Sequence, residues 1–107
     1  MLIDYRAVRC QIPMGRVLEL IDYRATSRRG QQLRGACPLH PAKPLHDRCF
    51  SADLTKGLFR CFHCQAQGNQ LDLWAQLHHL TLYHAARDLC HRAGVRVPRV
   101  DSRPAAK

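Results

Sequence analysis

Two short motifs carry the residue types that bind a soft metal ion. Cys37-Pro-Leu-His40 separates a thiol from an imidazole by two residues, and Cys61-Phe-His-Cys64 separates two thiols in the same way. A two-residue spacer lets one tight turn present both side chains to one ion, and zinc prefers four such ligands in a tetrahedron. The spacing therefore predicts one closed structural zinc site of three thiolates and one imidazole, with no open position for a catalytic water.

Other cysteines and histidines could replace a member of this set. His46, Cys49 and His63 lie between or inside the two motifs. Cys49 has no paired neighbour, so we expect a small buried hydrophobe there, and the geometry of the second turn favours its two cysteines over His63. His84 and His91 leave a second metal site conceivable, although a solvated polar face is the favoured interpretation of these histidines.

The segments around the motifs predict a small antiparallel sheet between helices. A short strand over 31–36 leads into Cys37, and strands over 48–54 and 58–62 flank a turn at Thr55-Lys-Gly57. Helices are predicted over 13–24, over 70–79 after the N-cap Asn69, and from Thr81 to Gly94. The predicted fold class is therefore small α+β, a zinc ribbon with α-helices on its flanks. The hexapeptide at 2–7 recurs at 20–25, which is too few copies for a repeat array.

Composition narrows the class of partner. The 107 residues include 17 Lys+Arg and 8 Asp+Glu, a net charge of +9, which favours polyanions, nucleic acid first and an anionic membrane second. No apolar run approaches the ~20 residues of a membrane span. The first residues lack the blocks of a signal peptide, so we expect a cytoplasmic location, where paired cysteines bind metal more often than they form disulfides. Scattered acidic residues predict no Mg²⁺ site and argue against an independent enzyme.

Strand alternation predicts which basic and aromatic side chains share a surface. Arg60 and Phe62 fall on one face of their strand and Phe59 and Cys61 on the other, while Arg34 falls on the matching face of the earlier strand. Lys56 lies at the tip of the predicted hairpin. A protein that binds a single strand needs cations along a groove and aromatic faces for the bases. These residues are therefore candidates for contact with nucleic acid.

The motifs together resemble a known family. Cys37-Pro-Leu-His40, Phe50-Ser51, Phe59-Arg-Cys-Phe-His-Cys64 and Gly68-Asn69 are similar to the N-terminal zinc-binding domain of bacterial DnaG-type DNA primases, a CHC-type zinc finger. The likeness covers about residues 13–98. It implies a zinc ribbon whose ligands are Cys37, His40, Cys61 and Cys64, and a domain that grips single-stranded template DNA. Lys43 matches a lysine of the family's loop between the two motifs, and Arg48 lies near it.

The predicted organisation is an N-terminal extension at 1–12, a ribbon domain at 13–97 and a basic flexible tail at 98–107. In the family a catalytic polymerase domain follows the ribbon, and we do not expect one within 107 residues. We therefore expect a non-catalytic, nucleoid-associated module that binds DNA, single-stranded as in the family, in replication or in mobile elements. The predicted contacts are Arg34, Lys43, Arg48, Lys56, Arg60 and Phe62. Two alternatives stay open: an excised domain of a complete primase, and an interaction module whose helices dock a helicase, polymerase or transposase.

Overall fold

The computed structural model describes residues 2–39 and 48–100. Seven strands and four helices occur in these residues, in the order β1 Leu2–Ile3, α1 Tyr5–Gln11, α2 Met14–Leu20, β2 Ser27–Arg29, β3 Gln32–Gly35, β4 Phe50–Asp53, β5 Leu58–Cys61, β6 Gln67–Gly68, α3 Gln70–His78, α4 Leu82–Ala93 and β7 Arg99–Val100. Strands β2 to β6 form one antiparallel sheet in sequence order, and β1 pairs separately with β7. The predicted small α+β fold is confirmed.

The register of the sheet separates an inner face from an open face. Phe50, Ala52, Phe59 and Cys61 alternate along β4 and β5, and all four are buried. The intervening positions form a polar row that crosses all five strands, made up of Ser27, Arg34, Ser51, Arg60 and Gln67. Because successive side chains on a strand point to opposite faces, the polar row lies on the side of the sheet away from the core.

Helices α3 and α4 pack together and contribute to the core that the inner face of the sheet joins. The Asn69 side chain accepts hydrogen bonds from the backbone of Leu71 and Asp72, while the Asp72 carboxylate accepts one from Asn69, which completes a capping box. Thr81 caps α4 and Gly94, at φ 71°, ends it. The Trp74 indole is buried and donates to the Asp88 carboxylate at 2.7 Å. The predicted boundaries of both helices agree with the structure to within a residue or two.

The first residues of the chain contribute to the same core. The Asp4 side chain caps α1 by accepting from the Ala7 amide, and α1 with its following residue buries Val8 and Ile12 completely. The Asp4 amide also donates to the Pro98 carbonyl at 2.9 Å, beside the β1–β7 pair. Residues 2–12 therefore contribute to the core of the domain and residues 98–100 pair with them, while the division of the chain at 12 and 98 stays a prediction.

The helix predicted over 13–24 is shorter than expected. Pro13 lies at the N-cap, α2 ends at Leu20, and Asp22 takes a left-handed backbone conformation at φ 54°. A non-glycine residue in that region interrupts a right-handed helix, so the chain turns there toward β2. Residues 2–39 and 48–100 contain no helix with the length and apolar composition of a membrane span.

Candidate metal centre and nucleic-acid interface

Three cysteine sulfurs converge at one end of the sheet. Cys37 lies two residues beyond the end of β3, Cys61 ends β5, and Cys64 lies in the turn that follows β5. The register places Gly35 opposite Phe50 and Phe50 opposite Cys61, which brings the end of β3 close to the end of β5. The Sγ atoms of Cys37, Cys61 and Cys64 all lie within 4.8 Å of one another. We call these three residues the sulfur cluster.

Backbone amides support the sulfurs on both sides of the cluster. The Leu39 amide donates to Cys37 Sγ at 3.4 Å, and the Cys64 amide donates to Cys61 Sγ at 3.3 Å. The second turn closes when the Gln65 amide donates to the Cys61 carbonyl at 3.0 Å, with Gln65 at φ 68°. Hydrogen bonds to a ligand atom orient it and stabilise its charged form. Each turn therefore holds its cysteine in a conformation suited to a metal.

The cluster fits zinc in donor type and spacing. Sulfur ligands at about 2.3 Å from a tetrahedral zinc lie about 3.8 Å apart, which falls within the limit of 4.8 Å that the three sulfurs satisfy. Burial raises the pKa of the Cys37 thiol to about 12, and the Cys61 and Cys64 sulfurs add to the rise. A cation opposes such a shift because it stabilises the thiolate. His40, the predicted fourth ligand, lies outside the described residues.

Cys49 lies closer to the cluster than the sequence indicated. Its Sγ is 3.7 Å from that of Cys61, and the Phe62 amide donates to its carbonyl at 2.8 Å. We predicted a small buried hydrophobe, but the side chain is half-buried and contacts a member of the cluster. Burial raises the pKa of its thiol. This proximity follows from the register of β4 and β5. Phe50 pairs with Cys61, and Cys49 is the residue before Phe50.

On the open face, two guanidinium groups contact one aromatic ring. The Cζ atoms of Arg34 and Arg60 lie 5.1 and 5.0 Å from the centroid of the Phe62 ring. Phe62 is 50% exposed, although Phe50 and Phe59 are in the core. We call Arg34, Arg60 and Phe62 the platform. These are the three residues that strand alternation predicted to share a surface, and the structure brings them together.

A basic groove adjoins the platform. It has a volume of about 490 Å³ and is lined by Ser27, Arg28, Arg29, Gln32, Arg34 and Arg48. Arg34 donates to the Arg48 carbonyl at 3.0 Å, and the Arg48 guanidinium donates to Ser27 Oγ at 3.4 Å. We predicted contacts at Arg34 and Arg48 but not at Arg28 and Arg29. Gly30, at φ 60° between β2 and β3, is the turn signal that could have placed them beside Arg34.

The remaining predicted contacts lie elsewhere or outside the described residues. Lys56 is exposed at the hairpin tip and lines a cleft formed with α1. Lys43 is not among the described residues. The sulfur cluster is the one group of three or more close metal-ligand side chains found in residues 2–39 and 48–100. The structure therefore does not bring His84 and His91 into such a group, and His84 Nδ1 lies 3.0 Å from Thr81 Oγ1.

Comparisons with known proteins agree with this architecture. The family model of the CHC2 zinc finger, the DnaG zinc ribbon, matches residues 6–104. The DNA primase of Streptomyces coelicolor is 33% identical over 93 residues, covering 86% of this chain and 14% of that protein. The DNA primase of Deinococcus radiodurans is 36% identical over 66 residues, covering 62% of this chain and 11% of that protein.

A solved structure supports the same relationship. The zinc-binding and RNA polymerase domains of the Aquifex aeolicus primase match with a TM-score of 0.71 and 25% identity, over 91% of this chain and 23% of that one. The chain spans about one seventh of the length of the Streptomyces relative, so the comparison concerns one domain of a larger enzyme. The sulfur cluster, the ribbon sheet and the family match together show that this chain belongs to the CHC2 zinc finger family, the zinc-binding module of DnaG-type DNA primases.

Proposed function

We propose that this module binds single-stranded DNA across the open face of its sheet and does not itself catalyse primer synthesis. The observation that carries the proposal is the platform, in which the half-exposed ring of Phe62 lies within 5.1 Å of two arginine guanidinium groups. A base stacks on an aromatic ring and on a guanidinium plane, and every base offers such a face. Neighbouring arginine side chains would then contact the phosphates of the DNA strand.

The surroundings of the platform supply those cations. Four arginines line the adjacent groove, namely Arg28, Arg29, Arg34 and Arg48. Arginine presents a planar fork of donors that matches the oxygens of a phosphate. The net charge of +9 adds a general attraction for a polyanion. The Streptomyces coelicolor and Deinococcus radiodurans relatives are DNA primases, which supports a DNA strand as the ligand.

Zinc would provide the rigidity that this surface requires. We propose Cys37, His40, Cys61 and Cys64 as the ligands, with the first motif joined to the second across the end of the sheet. Structural zinc contributes ~10–16 kcal/mol of apparent binding free energy to the folding of small domains. The buried residues belong to one small cluster, and a domain of this size gains much from such a crosslink.

The test is fluorescence anisotropy with labelled single-stranded and double-stranded oligonucleotides of one sequence, at several salt concentrations. If about four phosphates are contacted, the logarithm of the single-strand affinity falls against the logarithm of salt with a slope of about −3. Replacement of Arg34 and Arg60 by Gln weakens binding, whereas replacement of Arg24 and Arg87, exposed elsewhere, serves as a control of equal charge. A flat salt dependence would contradict the proposal.

A second candidate function is docking of a protein partner on α4. Leu82 and Tyr83 are 48% and 41% exposed at the start of that helix, and exposed apolar side chains of this size are common at interfaces. Under this alternative, the double variant Leu82→Ser with Tyr83→Ser abolishes binding of the protein partner and leaves the affinity for single-stranded DNA unchanged. Under the DNA-binding proposal, the variants of Arg34 and Arg60 lower the affinity for single-stranded DNA more than this double variant does.

A further inference from the structure

A second basic surface lies away from the platform, between α1 and the β4–β5 hairpin. It is a cleft of about 520 Å³ whose walls carry three cationic side chains, Arg6, Arg9 and Lys56. Arg6 and Arg9 are three residues apart on α1 and therefore lie on one side of the helix. Lys56 approaches from the hairpin tip on the other side. Cations from two separate parts of the chain thus line one cavity.

These charges are not neutralised within the described part of the chain. Its ion pairs join Arg16 to Glu19, Arg24 to Asp22 and Arg92 to Asp88, and none of them includes a cation of the cleft. The nearby carboxylates of Asp4 and Asp53 accept backbone hydrogen bonds, the first from the Ala7 amide and the second from the amides of Thr55 and Lys56. Three like charges around one cavity repel one another, and an anion between them relieves this repulsion.

The walls of the cleft are fixed in position. Gln70 is 5% exposed, and its Nε2 donates to the carbonyls of Arg9 at 3.1 Å and Ile12 at 3.2 Å, which ties α1 to the start of α3. The same amide lies against Gly57, where an added Cβ would be 3.1 Å from it, and Gly57 has φ 67°. The hairpin tip and α1 therefore meet the same buried side chain, so the separation of Lys56 from Arg6 and Arg9 is set by the fold.

We propose that this cleft is a phosphate-binding site, separate from the platform, formed by Arg6, Arg9 and Lys56. Arginine and lysine form charge-assisted hydrogen bonds to phosphate oxygens. The phosphate belongs either to a nucleic-acid strand that continues beyond the sheet or to a free polyphosphate. A nucleic-acid strand could reach both surfaces because strand β5 connects them. Leu58 of β5 lines the cleft, and Arg60, two residues later on the same strand, lies on the open face.

The test uses the full zinc-loaded chain with two probes, inorganic pyrophosphate and a twelve-residue thymidine oligonucleotide. Isothermal titration gives the affinity, and amide chemical shifts in NMR give the location. Pyrophosphate is expected to shift the amides of Arg6, Arg9 and Lys56. The double variant Arg6→Gln with Arg9→Gln lowers its affinity at least tenfold. The variant Arg24→Gln with Arg87→Gln, which removes the same charge elsewhere, changes the affinity less than twofold.

The two probes also distinguish a phosphate of a nucleic-acid strand from a free polyphosphate. If the Arg6 and Arg9 double variant weakens binding of both probes, the phosphate belongs to a strand. If it weakens binding of pyrophosphate alone, a free polyphosphate is the ligand. Phe62→Ala leaves pyrophosphate binding unchanged, so loss of the platform and loss of the cleft give different results. Lys56→Gln, at an exposed turn, is a second variant if the α1 double variant is unstable. Equal losses in the cleft and control variants, or pyrophosphate shifts confined to other residues, overturn the proposal.

Discussion

The sulfur of Cys49 lies 3.7 Å from the sulfur of Cys61, although Cys49 is not part of the sulfur cluster found among the described residues. Cys49 contacts one member of the cluster but is not in the group whose three sulfurs all lie within 4.8 Å of one another, so the arrangement suits a neighbour of a ligand better than a ligand. It predicts different results for two cysteine substitutions.

We expect Cys49→Ala to retain one zinc per chain with an affinity about 10-fold lower, the usual effect of removing an outer hydrogen-bond partner. Cys64→Ala is expected to lose zinc under the same conditions, and Cys10→Ala, an exposed thiol away from the cluster, is the control. Competition with a chromophoric chelator measures all three. Loss of zinc from the Cys49 variant would show that it is a ligand.

Zinc binding should release protons. The pKa of the Cys37 thiol is raised to about 12, first by burial, so this group is protonated at neutral pH and must lose its proton to become a ligand. Affinity for zinc therefore rises with pH, with at least one proton released per zinc between pH 6 and 8. Calorimetric titration in buffers of different ionisation enthalpy counts these protons. A count of zero would show that Cys37 is not a ligand.

In the protein without zinc, a rise in pH is expected to lower the free energy of unfolding. The pKa of the Cys37 thiol is higher in the folded than in the unfolded protein. Its contribution to stability is therefore complete at a pH below the unfolded pKa and is lost as the pH rises from about 9 toward 12. Chelator-treated protein is therefore expected to unfold at lower denaturant concentration as the pH increases above about 9. Urea titrations at several pH values, followed by circular dichroism, measure the trend.

The exposed ring of Phe62 provides a direct test of base stacking. We expect Phe62→Ala to weaken single-stranded DNA binding by ~1–3 kcal/mol, the range for removal of one stacked base. Phe62→Tyr keeps the aromatic face and should keep most of the affinity. Because the ring is 50% exposed, neither change should alter the melting temperature much. Anisotropy titrations measure affinity, and equal affinities for the alanine and tyrosine variants would exclude stacking.

Two glycines are expected to respond in opposite directions to alanine. A Cβ added at Gly35 would lie 2.5 Å from the Tyr23 hydroxyl and 3.0 Å from the Thr26 amide nitrogen, so Gly35→Ala should destabilise the fold by ~1–3 kcal/mol. A Cβ at Gly15 would meet only Leu54 at 3.9 Å, and alanine is the better helix former by up to about 1 kcal/mol. Thermal unfolding of both variants at fixed zinc concentration makes the comparison.

The turn at Cys61–Cys64, the central hairpin and the start of α3 could be predicted from sequence because their signals are local. Two-residue spacers, Gly57 at the tip and Asn69 at the N-cap each act within a few residues, and the structure has the turn and the cap where they were predicted. Strand alternation likewise predicted that Phe62 shares a face with Arg34 and Arg60, because the two-residue period holds along a strand. The structure brings the three side chains together.

The ends of the chain could not be predicted in this way. Leu2-Ile-Asp-Tyr-Arg-Ala7 forms β1, the N-cap and the first residues of α1, whereas the identical residues 20–25 end α2 and enter a loop. Asp4 caps a helix, and Asp22 in the same hexapeptide position has φ 54°. Identical sequences therefore differ in structure because of what they pack against: β1 pairs with β7, almost the full length of the described chain away. Local patterns contain no information on such distant contacts.

Cys61 and Phe62 are neighbours in the chain but lie on opposite sides of the sheet, the first in the sulfur cluster and the second exposed to solvent. A change at the Cys61 sulfur is therefore one peptide unit away from the exposed ring of Phe62. If the proposed DNA contact is made by that ring, we expect chelation of the metal to weaken it without any substitution on the open face.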